Sequence, residues 1–105
     1  DDMLIIRGVN VYPSQIEAVL IGRHAIAPHY QIVVQRQGSL DEVSVEVEAQ
    51  PGVPPESFAQ IAHDVAHSIK SLIGISTDVL VKLPGAIPRS QGKAVRVRDL
   101  RPKEA

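Results

Sequence analysis

At 105 residues, 44% hydrophobic and 22% charged, the chain has the composition of one folded domain burying roughly 60 to 65% of its unfolded surface, which excludes global disorder. A formal net charge of −1 and an aromatic complement of only Tyr12, Tyr30 and Phe58 argue against a nucleic-acid platform. The lack of cysteine excludes disulfides, thiolate metal sites and thiol catalysis and fits a cytoplasmic setting, and no apolar run approaches the roughly 20 residues of a membrane helix.

The first predicted element is a short β-rich run, Met3 to Arg7, stopped by Gly8 and resumed by Val9-Asn10-Val11, which reads as a tight hairpin or bend at Arg7-Gly8. Ser14-Gln15-Ile16-Glu17 matches an S-x-x-E capping box, and Ile16, Val19 and Leu20 follow at helical spacing up to Gly22, so a helix is expected from about Ser14 to Ile21. Tyr30 to Gln37 reads as a strand, with a turn at Gly38-Ser39. Val43, Val45, Val47 and Ala49 then alternate with Ser44, Glu46 and Glu48, the pattern of a strand with one buried and one wet face.

Pro51 to Pro55 ends that strand, and Phe58, Ile61, Ala62, Val65, Ala66, Ile69, Leu72 and Ile73 form the apolar stripe of a long amphipathic helix closed by Gly74. Val79, Val81 and Leu83 predict another strand, Pro84 to Gly92 a loop, and Ala94 to Leu100 a last short element. The order predicts an α+β domain: an N-terminal β-hairpin and a small, mostly antiparallel sheet with two helices packed on one face.

Candidate chemistry is sparse. Gly92-Lys93 places a flexible cation beside a permissive backbone, suited to phosphate or carboxylate oxygens, although it lacks the remainder of a Walker loop. His63 and His67 stand four apart on a helix, but Asp64 replaces the glutamate of a zinc-protease motif and no third ligand is evident, so both are read as a solvated edge. Glu42 is read in the same way, as are Glu46 and Glu48, which share the outer strand face. Six of the 11 Lys and Arg residues lie at or beyond Arg89 (Arg89, Lys93, Arg96, Arg98, Arg101 and Lys103), which makes the C-terminal end the basic one.

Two segments taken together are more specific. Asp1-Asp2-Met3-Leu4-Ile5-Ile6-Arg7-Gly8-Val9-Asn10-Val11-Tyr12-Pro13-Ser14-Gln15-Ile16-Glu17 at one end and Pro88-Arg89-Ser90-Gln91-Gly92-Lys93 at the other resemble the C-terminal domain of the phenylacetate-CoA ligase family, a branch of the acyl-adenylate-forming, AMP-binding ligases. The resemblance spans essentially the whole chain. It implies an ATP-dependent ligase that joins an aryl acid such as phenylacetate to CoA through an acyl-adenylate, releasing AMP and pyrophosphate. It further implies that Lys93 is the catalytic lysine, supported by the loop residues Arg89, Ser90 and Gly92, that Asp1 is the hinge, and that Gly8 and Asn10 approach CoA. Asn10 stands where many wider relatives carry a basic residue, and Tyr12 where this branch more often carries Phe.

The chain begins inside a motif, without an initiator methionine, so residues 1–105 are expected to be the mobile C-terminal domain of a longer ligase. Its first partner would be the N-terminal adenylation domain of the same chain, with ATP, CoA and an aryl acid as ligands and no nucleic acid or membrane; a homodimeric full enzyme is compatible with the resemblance. Mg2+ would arrive with ATP and find no ligand in this domain. The isolated domain would then be catalytically silent. The competing reading is a free-standing α+β module that binds or senses a small ligand without catalysis, since such folds host many functions.

Overall fold

In the computed structural model of the chain, which describes residues 2–89 and 96–102, six strands and two α-helices alternate around one apolar core. Strands β1 (Leu4–Ile6) and β2 (Val9–Val11) form the N-terminal hairpin, in register Leu4 with Val11 and Ile6 with Val9. The two residues between them, Arg7 at φ 47° and Gly8 at φ 78°, both lie in the left-handed region. That is a turn of the I′ kind, whose twist matches the strands it joins. Glycine suits the second position because it meets no Cβ penalty there.

Helix α1 (Pro13–Leu20) starts one residue earlier than the sequence predicts. Pro13 takes the first helical position, where its missing N–H costs nothing. The cap consequently belongs to Tyr12 and Gln15: the Tyr12 N–H donates to Gln15 Oε1 and the Gln15 N–H to the Tyr12 carbonyl, each at 2.9 Å. Ser14 and Glu17, the expected capping pair, both fall inside the helix. Glu17 instead accepts the Tyr30 hydroxyl at 3.0 Å.

Strands β3 (Ile26–Gln37) and β4 (Leu40–Ala49) form the long antiparallel centre of a second sheet. The pairing slips between Ile26, opposite Ala49, and Tyr30, opposite Val47, leaving extra residues on β3 where Pro28 has no N–H to give the ladder. A 3₁₀ turn (Pro55–Ser57) leads into α2 (Phe58–Ile73), which stops at Gly74 with φ 92° and its N–H bonded to the Lys70 carbonyl. Strand β5 (Asp78–Lys82) follows and pairs parallel with β4, and β6 (Val97–Asp99) pairs parallel with β3. The sheet order is β5-β4-β3-β6. Its longest pairing is antiparallel, yet both edges are parallel to their neighbours; at β5 this follows because α2 carries the chain back along β4 before β5 begins.

One sheet face supplies Ile32, Val34, Val43, Val45 and Val47 to the core, against Ile16, Val19 and Leu20 of α1 and Val65 and Ile69 of α2. Ile6 and Val11 extend the same cluster into the hairpin. Ile73 packs at its margin, whereas Leu72, placed in the apolar stripe by periodicity, is 74% exposed beside the helix end. His63 and His67 face solvent. Leu83 also lies outside the strand predicted for it and is exposed.

Candidate functional site

Among the described residues, those singled out by the resemblance fall at two places: Gly8 and Asn10 in the hairpin, and Arg89 in the segment after β5. At the tip Gly8 is exposed, and a Cβ added to it would meet nothing within 4 Å, so this domain itself does not crowd the position. Asn10 is exposed on β2 opposite Ile5. Arg7 braces the turn from behind, donating from Nη1 to the Asp41 carbonyl and from Nη2 to the Ser76 carbonyl, both at 2.6 Å. These bonds hold a non-glycine residue in a conformation that side chains disfavour.

A second brace comes from the C-terminal end. Arg101 donates from Nη1 to the Ile5 carbonyl at 2.7 Å and to Asp41 Oδ2 at 3.1 Å, and grips Asp99 through Nε at 2.9 Å and Nη2 at 2.8 Å. Arg36 Nε meets the other oxygen of Asp41 at 2.9 Å. The Arg36 hydrogen bond holds the buried Asp41 carboxyl below its usual range, and the Arg101 fork does the same for Asp99. The hairpin is thus tied to the sheet around Asp41 by guanidinium groups from both ends of the chain.

After β5 the chain passes over Glu48 of β4. Sequence alternation puts Glu48 on the wet face with Glu46, and Glu46 does make a surface contact with Lys82 at 3.2 Å. Glu48, however, is 1% exposed, because residues 83–89 cover it. Its Oε1 accepts the Gly85 N–H at 2.8 Å and Arg89 Nη2 at 2.9 Å; its Oε2 accepts the Ile87 N–H at 3.0 Å and Arg89 Nη1. The Arg89 hydrogen bond, joined by the two backbone donors, overrides burial and brings the carboxyl down to about 2. Nothing local in the sequence marks this pairing, since Glu48 and Arg89 stand 41 residues apart.

Arg96, on the far side of that segment, lies with its guanidinium carbon 4.6 Å from the centre of the Tyr30 ring, while the Tyr30 hydroxyl binds Glu17. Burial and the Glu17 carboxylate raise the phenol pKa. With Leu20, Ile21 and Pro28 these groups line a cleft of about 190 Å³. Asp1, Ser90, Gly92 and Lys93 lie outside the described residues. Among the described residues no group of three or more His, Cys, Asp or Glu side chains gathers closely enough to hold a metal ion.

Comparison with known proteins places the fold in a family. Residues 8–101 match the family model of the AMP-binding enzyme C-terminal domain. The chain is 52% identical over 104 residues to phenylacetate-coenzyme A ligase from Escherichia coli K12, covering 96% of this chain and 24% of that protein. The crystal structure of a domain of phenylacetate-coenzyme A ligase from Bacteroides vulgatus superposes with a TM-score of 0.90 at 33% identity, covering 99% of this chain and 97% of that one. A 2-hydroxyisobutyryl-CoA ligase, solved with 2-HIB-AMP and CoA in the thioesterification state, superposes with a TM-score of 0.86 at 32% identity over 96% of this chain and 22% of its own. The chain therefore spans about a quarter of the length of such full ligases. With its hairpin, its helices and its mixed sheet all accounted for, it belongs to the family of AMP-binding enzyme C-terminal domains, within which it is similar to the phenylacetate-CoA ligases.

Proposed function

We propose that residues 1–105 form the mobile C-terminal domain of a longer, cytoplasmic, ATP-dependent aryl-acid CoA ligase, with phenylacetate as the acid and an N-terminal adenylation domain in the same chain. In the first step a carboxylate oxygen attacks the α-phosphorus of ATP, the bond to pyrophosphate breaks, and an acyl-adenylate forms. In the second the CoA sulfur attacks the acyl carbonyl, AMP leaves with the bonding pair, and the thiol proton is released. Lys93 serves the first step as a preorganised cation on the reacting oxygens, and rotation about Asp1 exchanges it for the hairpin tip in the second. Mg2+ would travel with the ATP phosphates and take its protein ligands from the adenylation domain, outside residues 1–105.

The hairpin tip carries the reading. Gly8 presents a bare, exposed backbone position in a turn braced through the carbonyls of Asp41, Ser76 and Ile5, and a rigid position without a side chain suits close passage of an extended thiol arm. The likeness to a CoA ligase captured with 2-HIB-AMP and CoA supports the same assignment. The test is to assay the full-length ligase with phenylacetate, ATP and CoA beside the 105-residue chain alone. Phenylacetyl-CoA and AMP from the full enzyme and none from the domain are expected; turnover by the domain alone, or no thioester from the full enzyme, contradicts the proposal.

A further inference from the structure

Glu48 is the buried ionisable group that the reading above leaves without a role. It sits between Val47 and Ala49, both fully buried, and its carboxylate receives four donors on two oxygens, two of them backbone amides and two from one guanidinium. Arg89 Nη1 also donates to the Ile87 carbonyl at 2.6 Å, and Ile87 is itself 5% exposed. Lys82, the last residue of β5, lies opposite Glu48 in the sheet register, so the covering segment starts at the carboxylate and returns to it. One side chain therefore fixes the course of residues 84–89 at Gly85, Ile87 and Arg89.

Stability alone does not account for such a group. Desolvating a buried ion pair typically offsets much of its Coulomb gain, and well-packed apolar residues often do as well or better, so the role of this pair is sought in what it holds in place. Here the arrangement is the course of the chain up to Arg89, four residues before Lys93. Four residues span at most about 14 Å, so the Arg89 anchor bounds where Lys93 can act.

We propose that Glu48 is a positioning residue for acyl-adenylate formation: by holding Gly85, Ile87 and Arg89 it sets the point from which the chain leads to Lys93. This rests on the reading of Lys93 as the lysine of the first half-reaction. Glu48 touches neither substrate nor nucleotide in this scheme. It acts through the backbone, and its effect should be visible in kcat of one half-reaction.

The experiment compares Glu48→Gln, Arg89→Ala, Lys93→Ala and the double variant Glu48→Gln/Lys93→Ala in the full-length ligase. Glutamine keeps the shape but turns one acceptor into a donor facing other donors. Acid- and ATP-dependent adenylation by Glu48→Gln should fall about 10- to 100-fold in kcat, the scale of a misplacement near 1 Å, with KM for ATP changed less than about threefold. Thioester formation from preformed acyl-adenylate and CoA should stay within about twofold of the parent, and Arg89→Ala, at a half-exposed residue, should reproduce the split. Because Glu48 acts through Lys93, Glu48→Gln should add little to the loss already caused by Lys93→Ala. Equal loss in both half-reactions, or multiplicative losses in the double variant, would overturn the positioning role. A Lys93→Ala enzyme that keeps adenylation would overturn the reading of Lys93 and this inference with it; loss in Lys93→Ala without loss in Glu48→Gln would overturn this inference alone.

Discussion

Replacing Glu48 by glutamine removes a charge held by three parts of one loop, and the cost should depend on pH in a defined direction. The carboxyl ordinarily titrates at 4.5 and is brought to about 2 in the folded chain, chiefly by Arg89. A folded value below the unfolded one means that the bonus is present above about 4.5 and is lost as pH falls towards 2. The gap between those values corresponds to about 3 kcal/mol as an upper figure. Arg89 is 46% exposed, so solvent screening brings the expectation to about 1 to 3 kcal/mol at pH 7. Each kcal/mol shifts the midpoint of a domain of this size by about 4 to 8 °C. Thermal and urea unfolding of the 105-residue chain, followed by far-ultraviolet circular dichroism from pH 7 down to pH 2, measures both quantities. The parent should lose stability faster than Glu48→Gln below about pH 4.5, so that the curves converge. A gap that is constant with pH, or no gap at pH 7, would refute the reasoning.

At the hairpin tip, Gly8→Asn should preserve folding and adenylation, because asparagine tolerates positive φ, and should slow thioester formation; equal loss in both half-reactions would mean that Gly8 matters only to the turn. Arg101→Ala should release the hairpin from Asp41 and Asp99, raising amide exchange in residues 4–11 well before global unfolding, and unchanged exchange there would show the brace to be idle. Ile69→Ala, at a fully buried position between helix and sheet, should cost about 2 to 5 kcal/mol by urea titration, and a cost below 1 would place the core elsewhere.

Much of the fold was legible because periodicity reports burial directly. Val43, Val45 and Val47 announce one face of β4, and the three- and four-residue steps from Ile61 to Ile69 announce α2, with Gly74 where the backbone turns left-handed. The Arg7-Gly8 turn was readable from its glycine between two β-rich runs. Three features were not. The cap of α1 shifted because Pro13 claims the first helical position before Ser14 can act as a cap. Leu72 is apolar and in phase, yet in the last turn of α2 it is exposed while Ile73 beside it packs on the core. Glu48 looked solvated because alternation describes a strand without its covering loop, and only the folded chain brings Arg89 over it. The candidate site divides in the same way: Gly8 and Asn10 were named from the resemblance carried by one continuous stretch, whereas the guanidinium braces of Arg7 and Arg101 join residues up to 96 apart.

The most direct measurement of the central claim separates the two half-reactions in the full-length Lys93→Ala enzyme. One assay supplies phenylacetate, ATP and CoA; the other supplies preformed phenylacetyl-adenylate and CoA. Losing one preorganised charge that acts on the transition state costs on the order of 10²–10³ in rate. The account predicts that loss in the first assay and near-parental thioester production in the second. Comparable losses in both, or none in the first, would contradict it.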